Sequence, residues 1–234
     1  MSGHSKWATT HRQKAVVDAK RGAAFTKLGN MIAIAARGGT DPTTNSSLAL
    51  AIEKARAANM PNANIQRAID RINDKNAAAL EEAVYEGYGP GGVGIIIETA
   101  TDNKNRTYPE VRTALTKNGG TMADSGSVMF QFARKGVIRV AASGEEALLT
   151  VLDAGAEDAT EEDGGLTVYT DKKELAKVRE ALLAAGMTVE DAELQYVPNN
   201  TVAIEDDETA RKLTKIIDAL EALDDVTNVA TNAA

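Results

Sequence analysis

Residues 83–99 read AVYEGYGPGGVGIIIET. Small and large side chains step along the chain to Tyr88, the turn formers Gly89-Pro90-Gly91-Gly92 follow, and Val93-Gly94-Ile95-Ile96-Ile97 comes next. Strand-forming residues on both sides of a Gly-Pro-Gly-Gly turn predict a β-hairpin, with strands over 83–88 and 93–99. The same stretch formally satisfies G-x-G-x-x-G through Gly87, Gly89 and Gly92. A dinucleotide cradle needs those glycines to open a helix, so that amide N–H groups and the helix dipole meet pyrophosphate. Here they open a strand, and Pro90 removes one amide donor. The hairpin is therefore the reading, and no nucleotide or other cofactor is implied.

Working outward from the hairpin, a helix is expected over 108–117, closed by Gly119-Gly120. Strands over 127–133 and 137–140 are expected to form a second hairpin across Arg134-Lys135-Gly136. Further on, the pattern gives helix 145–155, strand 166–170, helix 172–185, strand 188–196, strand 202–205, helix 208–223 and strand 226–230. Glu161-Glu162-Asp163 reads as a turn-like, solvated surface stretch. Upstream the period is helical. Phe25, Leu28, Ile32 and Ala35 make one apolar face of a helix over 19–37, with Asp18 as its N-cap and Gly38-Gly39 as its stop. Helices over 46–59 and 63–74 follow, the first ended by Pro61 and the second capped by Asn62. The fold class is therefore α+β: an N-terminal three-helix bundle with a thin Ala- and Ile-rich core, then two α+β sandwich parts with helices on one face of an antiparallel sheet.

The chain has 234 residues, 43% of them apolar and 26% charged, with no cysteine. A disulfide framework, a zinc knuckle and a thiol nucleophile are thereby excluded. The longest apolar run lies near 93–97, far short of a membrane span. Lysines and arginines interrupt the N-terminus where a secretory signal would need an apolar core, so a soluble, cytoplasmic protein without a membrane partner is expected. The two histidines, His4 and His11, lack a third ligand at metal spacing, and no nucleophile, base and acid form a catalytic set. No enzyme and no small-molecule substrate are expected.

The formal net charge of −8 hides a division along the chain. Residues 1–75 carry 12 basic against 5 acidic side chains, whereas residues 143–199 carry 4 against 14. Such asymmetry predicts a polyanion-facing end and an acidic end that avoids polyanions or meets a protein partner. Between Met1 and Gly39 there are seven Lys and Arg and a single acid, Asp18. The polar arm Ser2-Gly3-His4-Ser5-Lys6 leads into Trp7, an indole suited to stacking on an unpaired base, and cations suited to phosphate follow it. The candidate nucleic-acid-binding residues are His4, Lys6, Trp7, Arg12, Lys14, Lys20, Arg21 and Lys27. A solvated helix with Trp7 tucked against the bundle is the alternative. No recognition-helix pattern for reading duplex bases is evident.

These residues carry a resemblance. MSGHSKW at 1–7, AKRG at 19–22, FTKL at 25–28, GGTDP at 38–42, NMP at 59–61, YEGYGPGG at 85–92, TDNKNRT at 101–107, GSV at 126–128 and LDDV at 223–226 together resemble the YebC family over essentially the whole chain. The family's members are labelled as transcriptional regulators, and mitochondrial relatives as translational activators. The resemblance implies three domains: 1–76, basic and helical; 80–141 with 200–234, central; and 142–199, acidic and inserted into the central one. It implies a non-enzymatic role, either as a ribosome-associated factor that meets ribosomal RNA and eases synthesis of proline-rich stretches, or as a regulator that binds double-stranded DNA. The chain departs from the family pattern at His11-Arg12-Gln13, where many relatives carry a denser lysine run, and at Gly29-Asn30 inside the first helix. Gly29 is expected to weaken that helix by roughly 1 kcal/mol relative to Ala.

Overall fold

The computed structural model describes residues 18–74, 78–162 and 164–234, with backbone alone for 18–21. The chain divides into two compact units: the residues up to Phe132 together with Pro198–Ala234, and Ala133–Val197.

In the first unit three helices form the bundle: α1 (Asp18–Ala35), α2 (Ser46–Ala57) and α3 (Asn62–Asp70). Leu28, Ile32 and Ala36 meet Leu48, Ala51, Ile52, Ala55, Met60, Ile65 and Ile69 in a small core. The links between helices are set by side chains that serve two ends at once. Asn45 accepts from the Leu48 amide at 3.1 Å as the N-cap of α2. Its Nδ2 donates to the carbonyls of Ala35 and Gly39, each at 2.7 Å, which closes the end of α1. Asn59 takes the left-handed conformation, φ 60°, and the Met60 amide returns to the Ala55 carbonyl at 2.9 Å. That is the αL stop that Asn tolerates, and Pro61 then opens the next helix. NMP is thus a helix-to-helix corner.

The central part carries strands β1 (Glu81–Tyr88), β2 (Gly94–Thr101), β3 (Thr121–Ala123) and, later in the chain, β8 (Val226–Thr231), ordered β3-β1-β2-β8 and all antiparallel. The opening hairpin is as expected. Tyr88 pairs with Gly94 and Glu81 with Thr101, and Gly91 and Gly92 take φ of 73° and 77° in the turn. Helices α4 (Lys104–Lys117) and α7 (Asp207–Glu221) supply Val111, Leu115, Leu213, Ile216, Ile217 and Leu220, which pack with Ile95 and Ile97 of β2. The strand expected over 202–205 reduces to one parallel bridge, Val202 to Ala233.

In the second unit, β4 (Phe132–Val140), β5 (Asp158–Glu162), β6 (Gly165–Asp171) and β7 (Val189–Pro198) form a sheet in the order β5-β6-β4-β7, with α5 (Glu145–Asp153) and α6 (Leu175–Ala184) between them in sequence. Two expectations fail here. Arg134-Lys135-Gly136 is no turn, since β4 runs straight through it and Lys135 and Gly136 pair with Asp171 and Thr170. A Cβ on Gly136 would lie 2.2 Å from Thr170 Oγ1 and 2.9 Å from Leu175 Cβ, so this glycine marks a close approach. The acidic run at Glu161-Glu162 ends an edge strand paired to β6.

Candidate nucleic-acid interface

Of the eight candidate residues, His4, Lys6, Trp7, Arg12 and Lys14 lie outside the described residues. Lys20 and Arg21 fall in the first turn of α1, about two turns and about one and two-thirds turns before Lys27. Lys27 is half-buried, and its Nζ donates to the main-chain carbonyl of Glu221. Burial lowers the pKa of its ammonium from the ordinary lysine value, and the carboxylates of Glu221 and Asp224 act in the opposite direction.

Other cations of the bundle were missed by the sequence reading. Lys54 and Arg56 end α2, Arg67 ends α3, and Arg71 follows in a tight helical turn. Arg67 Nη1 donates to Asn64 Oδ1 at 3.4 Å, and Arg56 is exposed. Arg37 Nη1 donates to the Leu80 carbonyl at 2.9 Å. Arg71 Nη1 lies 3.4 Å from Asn30 Oδ1 and Nη2 lies 3.9 Å from Asp102. Asn30, noted above as a departure from the family pattern, is buried, and its Nδ2 reaches the Ala100 carbonyl at 3.5 Å. No period or charge count points to the contacts of Asn30, Arg37 and Arg71, because each joins residues about thirty or more apart in sequence.

The motifs that carry the family resemblance converge on two buried carboxylates. In TDNKNRT, Thr101 and Thr107 each donate a hydroxyl to Asp225 Oδ2, at 2.9 and 2.6 Å, and Arg106 Nη2 meets both oxygens of Asp225 at 2.9 and 3.1 Å. Asn103 caps α4 by accepting from the Arg106 amide at 3.2 Å. Asp102 is shared by Arg106, at 3.2 Å, and Arg71. In YEGYGPGG, Glu86 is 3% exposed and accepts three amides, from Gly126 at 2.5 Å, Val128 at 2.6 Å and Met129 at 2.8 Å. Tyr88 adds a bond from its hydroxyl to the Ser127 carbonyl at 2.9 Å. Burial works against ionisation of both carboxylates. The loop amides outweigh it at Glu86, and Thr107, Arg106 and Thr101 outweigh it at Asp225, so both lie below the ordinary carboxylate range. These acids hold loops in place.

Among the described residues no group of His, Cys, Asp and Glu is placed to hold a metal ion, and no helix is long and apolar enough to cross a membrane.

Residues 5–75 match the model for the TACO1/YebC protein N-terminal domain, and residues 80–233 match that for the TACO1/YebC second and third domain. A protein of Moorella thermoacetica named "Probable transcriptional regulatory protein" is 51% identical over 240 residues, which span 100% of this chain and 95% of that one. A protein of Salinispora tropica with the same name is 50% identical over 238 residues, 99% and 95% of the two chains. The crystal structure of a conserved hypothetical protein from Aquifex aeolicus superposes with a TM-score of 0.91 at 44% identity, covering 98% of this chain and 97% of its own. On the strength of two family models that between them span nearly its full length, the chain belongs to the TACO1/YebC family.

Proposed function

We propose that this protein is a non-enzymatic, cytoplasmic regulator that faces nucleic acid through its basic N-terminal domain, residues 1–76, and acts at the ribosome to ease synthesis of proline-rich stretches. The observation that carries the nucleic-acid half is the charge division: 12 basic against 5 acidic side chains over 1–75 in a chain whose net charge is −8. The ribosomal half rests on the family resemblance. His4, Lys6, Trp7, Arg12, Lys14, Lys20 and Arg21 are assigned to ribosomal RNA, cations to phosphate and Trp7 to a base. Lys27 joins them once it leaves Glu221. The central domain carries the bundle, and the acidic domain stays clear of RNA or meets a protein. A second reading, a DNA-binding transcriptional regulator using the same bundle, is favoured by the printed names of the relatives.

Co-sedimentation with ribosomes at near-physiological salt decides between them, with wild type beside a Lys6→Glu, Lys20→Glu variant and duplex DNA as competitor. Retention of wild type, loss in the variant and indifference to duplex are expected. Raising the salt should lower log affinity against log salt with a slope of about 0.7 to 0.9 per phosphate contact. No retention, with tight binding to particular duplexes, would move the assignment to transcription. Binding to neither, or binding unchanged by salt, would overturn both.

A further inference from the structure

Helix α7 carries Asp207 and Glu208 in its first turn and no basic residue in its last. A helix leaves its final carbonyls unpaired and its C-terminal end partially negative, a position that favours a cation. The cation comes from the bundle: Lys27 Nζ donates to the carbonyl of Glu221, the last residue of α7. Three more bundle side chains reach the central part. Asn30 meets the Ala100 carbonyl, Arg37 the Leu80 carbonyl, and Arg71 the Asp102 carboxylate. In all four contacts the bundle donates and the central part accepts, and three of the four donors are cations. Lysine and arginine donors of this kind are also the groups that a phosphate backbone recruits. The seat is a poor one for an ammonium: burial disfavours its charged form, and the nearby carboxylates work against that effect.

We infer that Lys27 is a latch: in the free protein it seats the bundle on the C-terminal end of α7, and a nucleic-acid backbone arriving at the bundle takes the same ammonium, so that docking and binding compete for it. The first half stands on the geometry alone, and the second rests on the nucleic-acid reading of the bundle. The Glu221 and Asp224 carboxylates beside the seated ammonium repel a phosphate, so a backbone that takes Lys27 draws it off the Glu221 carbonyl, and binding at Lys27 loosens the bundle from the central part. Anything that weakens the seat then strengthens binding, by at most the factor by which the seat is weakened.

The full chain lacks cysteine, so Ala57→Cys on α2 and Thr113→Cys on α4, both exposed positions, accept a donor and an acceptor dye for energy transfer. Without nucleic acid, Lys27→Met is expected to lower or broaden the transfer relative to the labelled parent. Glu221→Gln with Asp224→Asn should do the same in a protein that keeps Lys27. Circular dichroism of each variant checks that the helices persist. Purified ribosomal RNA is then titrated in. Transfer is expected to fall in step with binding, and the Glu221→Gln, Asp224→Asn protein should bind about fivefold tighter, a gain that vanishes in the Lys27→Met background. Unchanged transfer in both folded variants would overturn the latch. Transfer that responds to Lys27→Met but not to saturating RNA would keep the seat and overturn the competition. A wild type that binds neither ribosomal RNA nor duplex DNA would overturn the nucleic-acid reading and the competition with it, while the RNA-free arm still decides the seat.

Discussion

The two four-stranded sheets are held by opposite means. The central part buries two carboxylates: Glu86, which gathers three amides of the 126–129 loop, and Asp225, which gathers Thr101 of β2 and Arg106 and Thr107 of α4. The sheet of Ala133–Val197 lies in the stretch richest in acids, yet none of its described acids is buried. It is braced instead by Arg139 of β4, which donates to Thr167 Oγ1 of β6 at 3.1 Å and to the Glu162 carbonyl of β5 at 2.9 Å. Its Nε lies 3.8 Å from Glu190 of β7. One sheet is pinned from inside by anions, the other laced across its strands by cations of β4: Arg139, Arg134 over the Tyr196 ring of β7 at 4.7 Å, and Lys135 on Glu157. The number of acids in a region therefore says little about what they do. A buried, fully satisfied carboxylate specifies a loop, while an exposed one only shapes the field outside.

The largest test of this contrast is Asp225→Ala, which strips Thr101, Thr107 and Arg106 of their shared acceptor. Urea unfolding should show a loss of about 3 kcal/mol, and a loss under 1 kcal/mol would mean that the network is not what pins α4. Glu86→Gln keeps the shape and places an NH₂ group among three amide donors, for an expected loss of about 2 kcal/mol. This variant also tests the sign of the pH dependence. Glu86 and Asp225 are depressed in the folded state, so their contribution is fully present above the ordinary carboxylate value of about 4 and is lost as pH falls through their lower folded values. Acid unfolding of Glu86→Gln should accordingly be shallower than that of wild type.

In the other sheet, Gly136→Ala should destabilise Ala133–Val197 by about 1 to 2 kcal/mol through the approach of Thr170 and Leu175, read by hydrogen exchange on β4 and β6. If the amides of β1 and β2 lost protection equally, the two units would unfold as one. The smallest effect is a gain. A Cβ on Gly29 of α1 would meet only Ala68 Cβ, at 4.0 Å, so Gly29→Ala should stabilise the bundle by up to about 1 kcal/mol in a thermal melt.

The hairpin at 81–101 was legible because the turn chemistry and the strand pattern on either side agree. The start of α4 was not. Pro109 sits inside that helix, and the side chain that opens it, Asn103, lies in a polar run with no apolar period. β5 reads DATEE, poor in strand formers, and becomes a strand because β6 offers it a partner. Arg134-Lys135-Gly136 looks like a turn on its own, and only the neighbouring Thr170 shows why the glycine is there. For the candidate site, sequence exposes which residues are cationic. It hides which cations the fold already occupies, and Lys27, Arg37 and Arg71 each find their acceptor far along the chain.

The Asn199 amide donates to the Gln131 carbonyl at 2.8 Å, and these residues lie just outside the two ends of Ala133–Val197. The host chain is thus already tied off where its guest begins. A guest spliced in at such a knot adds almost no slack to the loop that the host must close, because that cost grows only with the logarithm of loop length. Exchanging Ala133–Val197 for a short turn, or lengthening it, is therefore expected to leave the β3-β1-β2-β8 sheet closed.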